Sequence, residues 1–144
     1  MKSGFVALIG RPNAGKSTLL NALVQQKVAI ISPKPQTTRN SIRAIRTDAD
    51  SQIIFVDTPG IHKPKHELGT QMNKEAYSAA SGVDLIYYLV DGSVPFGSGD
   101  EFVLNTLRQM HLPVYLILNK IDLLEKEQLI DLLLAWQRRM DFKE

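Results

Sequence analysis

The stretch Gly10-Arg11-Pro12-Asn13-Ala14-Gly15-Lys16-Ser17 fits the pattern G-x-x-x-x-G-K-[ST]. Glycines at those places let a backbone turn tightly and bring its N–H groups close to an anion. In this pattern the lysine, here Lys16, reaches the β- and γ-phosphates of a nucleotide, and the Ser17 hydroxyl ligates Mg²⁺. Gly10, Asn13, Ala14, Gly15 and Thr18 belong to the same expected phosphate cradle. Asp57 stands where an apolar run stops, 40 residues after Ser17. A carboxylate there can hold Mg²⁺ through a water. Gly60, in Asp57-Thr58-Pro59-Gly60, has no side chain, so its N–H can approach a γ-phosphate. A third group, Asn119-Lys120-Ile121-Asp122, suits a purine base. Guanine presents N1–H and a 2-amino group side by side, and the Asp122 carboxylate can accept from both. Adenine would leave that carboxylate facing a lone pair, and an unpaired polar group costs about 1–3 kcal/mol, more when charged. Asn119 can donate to N7, and the aliphatic stem of Lys120 can cover the ring face. Alone, each of the two shorter motifs also reads as an ordinary turn after a strand. Their joint occurrence with the loop makes the chemical reading the stronger one.

These groups need elements that bring them together. Phe5-Val6-Ala7-Leu8-Ile9 reads as a buried strand and Thr18-Leu19-Leu20-Asn21-Ala22-Leu23-Val24 as helix. The order strand, loop, helix points helix N–H groups at the phosphates. Residues 25–40, rich in Pro, Ser, Thr and Lys, read as a loop. Residues 41–47 alternate apolar and polar, and residues 53–56 read as a strand buried on both faces. The turn over residues 48–51 is short enough only for an antiparallel hairpin at one sheet edge. Residues 61–69 read as a loop and 70–81 as a helix. Residues 84–90 form a fourth strand and 113–118 a fifth. Ser98-Gly99-Asp100-Glu101 has capping-box spacing and opens a helix over 100–110. The last helix spans 125–140, with Leu129, Leu133, Trp136 and Met140 at helical spacing and Trp136 as a core anchor. Strands alternating with helices predict an α/β fold with a mostly parallel sheet and one antiparallel edge strand. Ligands bind such sheets at the carboxyl ends of the strands, where strands one, three and five carry the motifs.

The chain has 144 residues, 44% apolar and 22% charged, which suits one domain with a single core. Its net charge of +2 supplies no bulk argument for nucleic acid or membrane binding. There is no cysteine, so no disulfide partner and no thiolate metal site. The first residues run directly into a strand, leaving no room for a signal peptide, and no apolar run approaches the roughly 18 residues of a membrane span. His62 and His66 stand four apart, but Pro64 between them argues against a helix and a metal site. His111 reads as a helix C-cap or surface residue, and Tyr87 and Tyr88 as packing. Lys34, Arg39, Arg43, Arg46, Lys63 and Lys65 offer a basic face for RNA, though such residues are more often solvated surface.

The combination of G-x-x-x-x-G-K-S, a Thr in the following loop, D-x-x-G and N-K-x-D resembles the translation-factor-like GTPases. Ile31-Ser32-Pro33-Lys34-Pro35-Gln36-Thr37-Thr38-Arg39-Asn40 is similar to the first switch of the Era family, and residues 57–69 to its second. The resemblance covers the whole chain. It implies a Ras-like G domain with the P-loop NTPase fold, binding GTP and GDP with Mg²⁺ and hydrolysing GTP. It further implies a cytoplasmic role in assembly of the small ribosomal subunit around 16S rRNA, with peripheral membrane association left open. Thr38, in preference to Thr37, would ligate Mg²⁺. The Der and MnmE types usually show G-T-T-R-D where this chain has Gln36-Thr37-Thr38-Arg39-Asn40.

Two departures from the pattern matter. In Ras-type enzymes a Gln after D-x-x-G orients the attacking water. Here Ile61 stands in its place and cannot hydrogen-bond water, so slow intrinsic hydrolysis is expected. Related GTPases with G-x-P-N-x-G-K-S use the loop Asn in binding K⁺, which makes Asn13 a catalytic candidate beside Lys16, Thr38 and Gly60. The family also carries a fifth motif after a sixth strand, then a KH domain for rRNA. The sequence stops before either, so a G domain lacking its sixth strand and last helix is expected, with strand five an unpaired edge and weaker nucleotide binding. A nucleotide-sensing module with negligible turnover is the alternative to an enzyme.

Overall fold

The computed structural model describes residues 2–11, 14–24, 41–57 and 82–144. The expected loops over 25–40 and 61–69, the helix over 70–81, and His62 and His66 lie outside them. In chain order the elements are β1 (Lys2–Gly10), α1 (Lys16–Val24), β2 (Ser41–Thr47) and β3 (Ser51–Asp57). They continue with β4 (Leu85–Asp91), α2 (Ser98–Met110), β5 (Val114–Asn119) and α3 (Lys126–Gln137). A short 3₁₀ turn, Ile121–Leu123, joins the last two.

The sheet order is β2-β3-β1-β4-β5. β1 runs parallel to both neighbours, and β5 runs parallel to β4. β2 alone is antiparallel, paired with β3 through the expected hairpin, with an irregularity between Ile42 and Ala44. The alternation of side chains along β1 decides what covers each face. Ala7 and Ile9 point to one side, where they meet Ile86, Tyr88, Val90 and the α2 residues Val103, Leu104 and Leu107. Val6 and Leu8 point to the other, where they meet Leu20 of α1, Ala44 and Phe55. The sheet therefore carries helices on both faces, as its continuous apolar strands require. No described helix is long and apolar enough to cross a membrane.

Trp136 is 2% exposed and packs edge-on against Tyr88 and Phe96 with ring centroids 5.8 and 5.3 Å away. It is the anchor that the spacing predicts. Leu133 is not: it remains 41% exposed, beside a groove of about 280 Å³ shared with Leu116, Leu118, Leu129 and Phe142. The helix also ends three residues before Met140. Arg139 N–H bonds back to the Trp136 carbonyl in a tightened last turn, and its guanidinium stacks 3.5 Å over Phe96. β5 is not the bare edge expected from the sequence. The Lys143 N–H donates to the Val114 carbonyl at 2.8 Å, and the Leu116 N–H to that of Glu144 at 2.9 Å. His111 is the left-handed C-cap of α2 (φ 54°).

Tyr88 packs as expected, but its hydroxyl is buried without a hydrogen bond of good geometry. Burial, and then the neighbouring Asp100 charge, push the phenol well above its usual range. Below about pH 10 the phenol is neutral in both the folded and unfolded chain. As the pH rises further, only the unfolded chain ionises, so stability falls with pH. Between about pH 8 and pH 11, Tyr88→Phe is expected to lose less stability than the native chain in guanidinium unfolding; equal losses would contradict this.

Candidate functional site

Parallel strands deliver their carboxyl ends to one side of the sheet. β1 ends at Gly10, β3 at Asp57, β4 at Asp91 and β5 at Asn119. Register aligns them: Leu8 pairs with Asp57, Gly10 with Leu89, and Asp91 with Asn119. The three motifs, far apart in sequence, thus share one rim. The structure describes the backbone of Asp57, not its side chain, and Asn13, Thr38 and Gly60 lie outside the described residues.

The two glycines of the loop are required for different reasons. A Cβ at Gly10 would stand 2.8 Å from the Leu89 carbonyl oxygen, so close packing of β1 against β4 excludes one. Gly15 has φ +99°, and a Cβ there would stand 2.2 Å from Asn119 Nδ2. The Ala14 N–H closes a turn onto the Arg11 carbonyl at 3.2 Å, and Ala14 itself is buried. Lys16 opens α1, with Ser17 and Thr18 exposed in its first turn and no acidic residue there. The helix N-terminus therefore offers N–H groups and a positive end with no carboxylate of that turn competing for them. An anion fits that surface.

Asn119 does more than its motif announces. Its Nδ2 donates to the Ala14 carbonyl at 2.9 Å, tying the base-reading turn to the phosphate loop. One amide N–H of Asn119 remains for a base nitrogen. Lys120 adopts φ 60°, and its Nζ pairs with Asp91 Oδ2 at 2.9 Å, which fixes where its stem lies. Ser93 donates to Asp91 through its backbone N–H and its hydroxyl; the hydroxyl bond, then the bond from Lys120, hold the Asp91 carboxyl below its usual range. Asp122 is exposed in the 3₁₀ turn. The motif reading missed Asp91, although its signal was the same as for Asp57: an acid where an apolar strand stops.

α2 starts at Ser98, two residues before the expected 100, and its cap lies one residue before the Ser98 of the capping-box spacing. Gly97 is the N-cap, and Asp100, not Glu101, reaches back to its N–H at 2.9 Å. Of the basic residues read as a face for RNA, Arg46 donates through Nη1 to the Leu23 carbonyl at 2.9 Å and through Nε to Asp48.

Comparison with known proteins agrees with this geometry. A family model described as "50S ribosome-binding GTPase" matches residues 5–120. GTPase Era of Clostridioides difficile (strain 630) is 52% identical over 144 residues, which cover 99% of this chain and 48% of the relative. GTPase Era of Clostridium kluyveri (strain ATCC 8527) is 51% identical, over 100% and 49%. A solved structure of an Aquifex aeolicus Era variant bound to GDP·AlF₄⁻ superposes with a TM-score of 0.79 at 36% identity, covering all of this chain and 50% of that one. Another, Era in complex with MgGDPNP and nucleotides 1506–1542 of 16S ribosomal RNA, gives a TM-score of 0.81 at 37% identity over the same shares. The chain spans about half the length of the curated relatives it matches. With the phosphate loop, the strand-end acid and the base-reading turn on one rim of a five-stranded α/β sheet, and relatives above 50% identity along its whole length, the chain belongs to the Era family of GTPases.

Proposed function

We propose that this chain is a nucleotide switch that binds GTP and GDP and hydrolyses GTP to GDP and phosphate. The observation that carries this reading is the hydrogen bond from Asn119 to Ala14, which joins a phosphate loop to a guanine-reading turn. Backbone N–H groups around Gly15, Lys16, Ser17 and Thr18 hold the phosphates, and Lys16 neutralises charge that develops on them. Asn119 and Asp122 hold the base, with Lys120 set against it by Asp91. Mg²⁺ bound through Ser17, Thr38 and Asp57 would supply further neutralisation of phosphate charge. The Gly60 N–H, by its motif, would bind the γ-phosphate. Residues 27–40 and 58–69 are the segments that would read the bound nucleotide.

Ile61 supplies no hydrogen bond for water, so slow turnover is expected, and Asn13 is our candidate for recruiting K⁺. Turnover of GTP by this chain is expected to be faster in potassium than in sodium chloride, and Asn13→Ala should erase the difference. Equal rates in the two salts would remove K⁺ from the account. Turnover indistinguishable from buffer in both would favour the rival reading suggested by Ile61, a sensing module for which GTP is only a ligand.

The wider role we propose is assembly of the small ribosomal subunit in the cytoplasm. The family model's description mentions the large subunit, whereas the Era complex with 16S rRNA, which aligns over the whole chain, supports the small one. Arg46 is engaged with Leu23 and Asp48, which fits rRNA contact made mainly by a KH domain of the family rather than by this one.

A further inference from the structure

Asp100 is the one buried charged residue among the described residues, 5% exposed at the start of α2. Neither the phosphate-loop motif nor the base-reading motif includes it. Its Oδ2 accepts the Gly97 N–H at 2.9 Å, which fixes the carboxylate to the helix N-terminus. The same oxygen pairs with Arg11 Nη1 at 3.3 Å. Arg11 occupies the first variable position of the phosphate loop, and its carbonyl receives the Ala14 N–H. The side chain of Arg11 is thus held by α2 while its backbone shapes the loop. Asn119 in turn holds the Ala14 carbonyl. Arg11 and Ala14 are thus each tied to a residue far away in sequence. A cavity of about 340 Å³ lined by Arg11, Ala14, Leu89, Asp91, Val94 and Asp100 lies beside these ties.

We propose that Asp100 is a positioning residue for phosphate binding, acting through Arg11 to hold the Arg11 carbonyl where it receives the Ala14 N–H. A buried carboxylate is a costly means of capping a helix at a glycine, and a neutral acceptor would serve that purpose alone. The charge has its use in gripping a half-exposed arginine whose other attachment is the loop. The proposal rests on the reading that this loop binds nucleotide phosphates, so its test has one arm that needs no nucleotide.

In the first arm, GDP affinity is measured for the 144-residue chain and for Asp100→Asn, Arg11→Ala, Arg11→Lys and the double variant Asp100→Asn with Arg11→Ala. Asp84→Asn, which alters another carboxylate that accepts a backbone N–H, from Phe5, controls for general loss of stability. Asp100→Asn and Arg11→Ala should each weaken GDP binding about tenfold, the double variant no more than either single one, and Arg11→Lys should recover most of the loss. In the second arm, hydrogen exchange of the Ala14 amide is followed without nucleotide; Asp100→Asn should speed it while Asp84→Asn does not. GDP affinity unchanged in a folded Asp100→Asn, losses that add in the double variant, or no recovery with Arg11→Lys would overturn the proposal. If the native chain binds no GDP but the Ala14 amide is deprotected in Asp100→Asn, the nucleotide reading fails while the tie through Arg11 stands. Unchanged exchange would remove the tie itself.

Discussion

Gly15→Ala is expected to weaken GDP binding by about 10²–10³-fold while leaving the chain folded. Two costs combine. An alanine at φ +99° is strained by about 1–3 kcal/mol. Its Cβ would also stand 2.2 Å from Asn119 Nδ2, so Asn119 must withdraw and lose its bond to the Ala14 carbonyl. A part-buried hydrogen bond left unmade costs about 1–3 kcal/mol more. At 1.4 kcal/mol per tenfold, the sum of about 2–6 kcal/mol spans roughly 30-fold to 10⁴-fold, and the stated range is its middle. The effect should concentrate in binding because Gly15 lies in the loop and at the helix start, not in either apolar core. Titration of GDP into the variant, with circular dichroism to show that it is folded, checks this. An affinity within a few-fold of the native chain would mean that the loop turn does not need the geometry described.

Asp122→Asn is expected to exchange the preferred base. Asparagine offers one acceptor and one donor where aspartate offers two acceptors. Guanine then meets a donor with its 2-amino donor. Xanthine, with a carbonyl at that place, becomes matched. GDP binding should fall about 10²–10³-fold and xanthosine diphosphate should become the tighter ligand, because a site built for hydrogen bonds rejects a partner that leaves them unpaired. Asp122 is exposed in its 3₁₀ turn, so the change should cost little stability. If both nucleotides weakened alike, Asp122 would be shaping the turn rather than reading the base.

These two residues were legible in the sequence because their roles follow from short-range patterns. Gly15 is part of a loop with fixed spacing, and Asp122 sits three residues after a strand end. The strands were legible for the same reason: apolar runs of limited length, bounded by turn residues, leave few ways to build a sheet. What escaped depended on contacts between distant segments. Asp100 and Arg11 are 89 residues apart, and no local pattern links them. Lys120 and Asp91 meet only because β4 and β5 are parallel and in register at their ends. The cap of α2 was misread by one residue because the sequence favours Ser98 as a side-chain acceptor, whereas the fold uses Asp100 to satisfy a glycine N–H and a guanidinium together. Leu133 shares the spacing of Trp136 yet stays exposed, because helical spacing identifies an apolar stripe without saying whether a neighbour covers it. The pairing of Lys143 and Glu144 with β5 lies beyond periodicity, since two residues carry none.

The central claim is that Gly10 to Ser17 and Asn119 to Asp122 form one guanine-nucleotide site. Titration calorimetry of the 144-residue chain with GDP, and with ADP in parallel, both with Mg²⁺ present, tests it most directly. The account predicts saturable GDP binding with a stoichiometry of about one, and no heat of binding with ADP. A folded chain that bound both nucleotides alike, or neither, would contradict it.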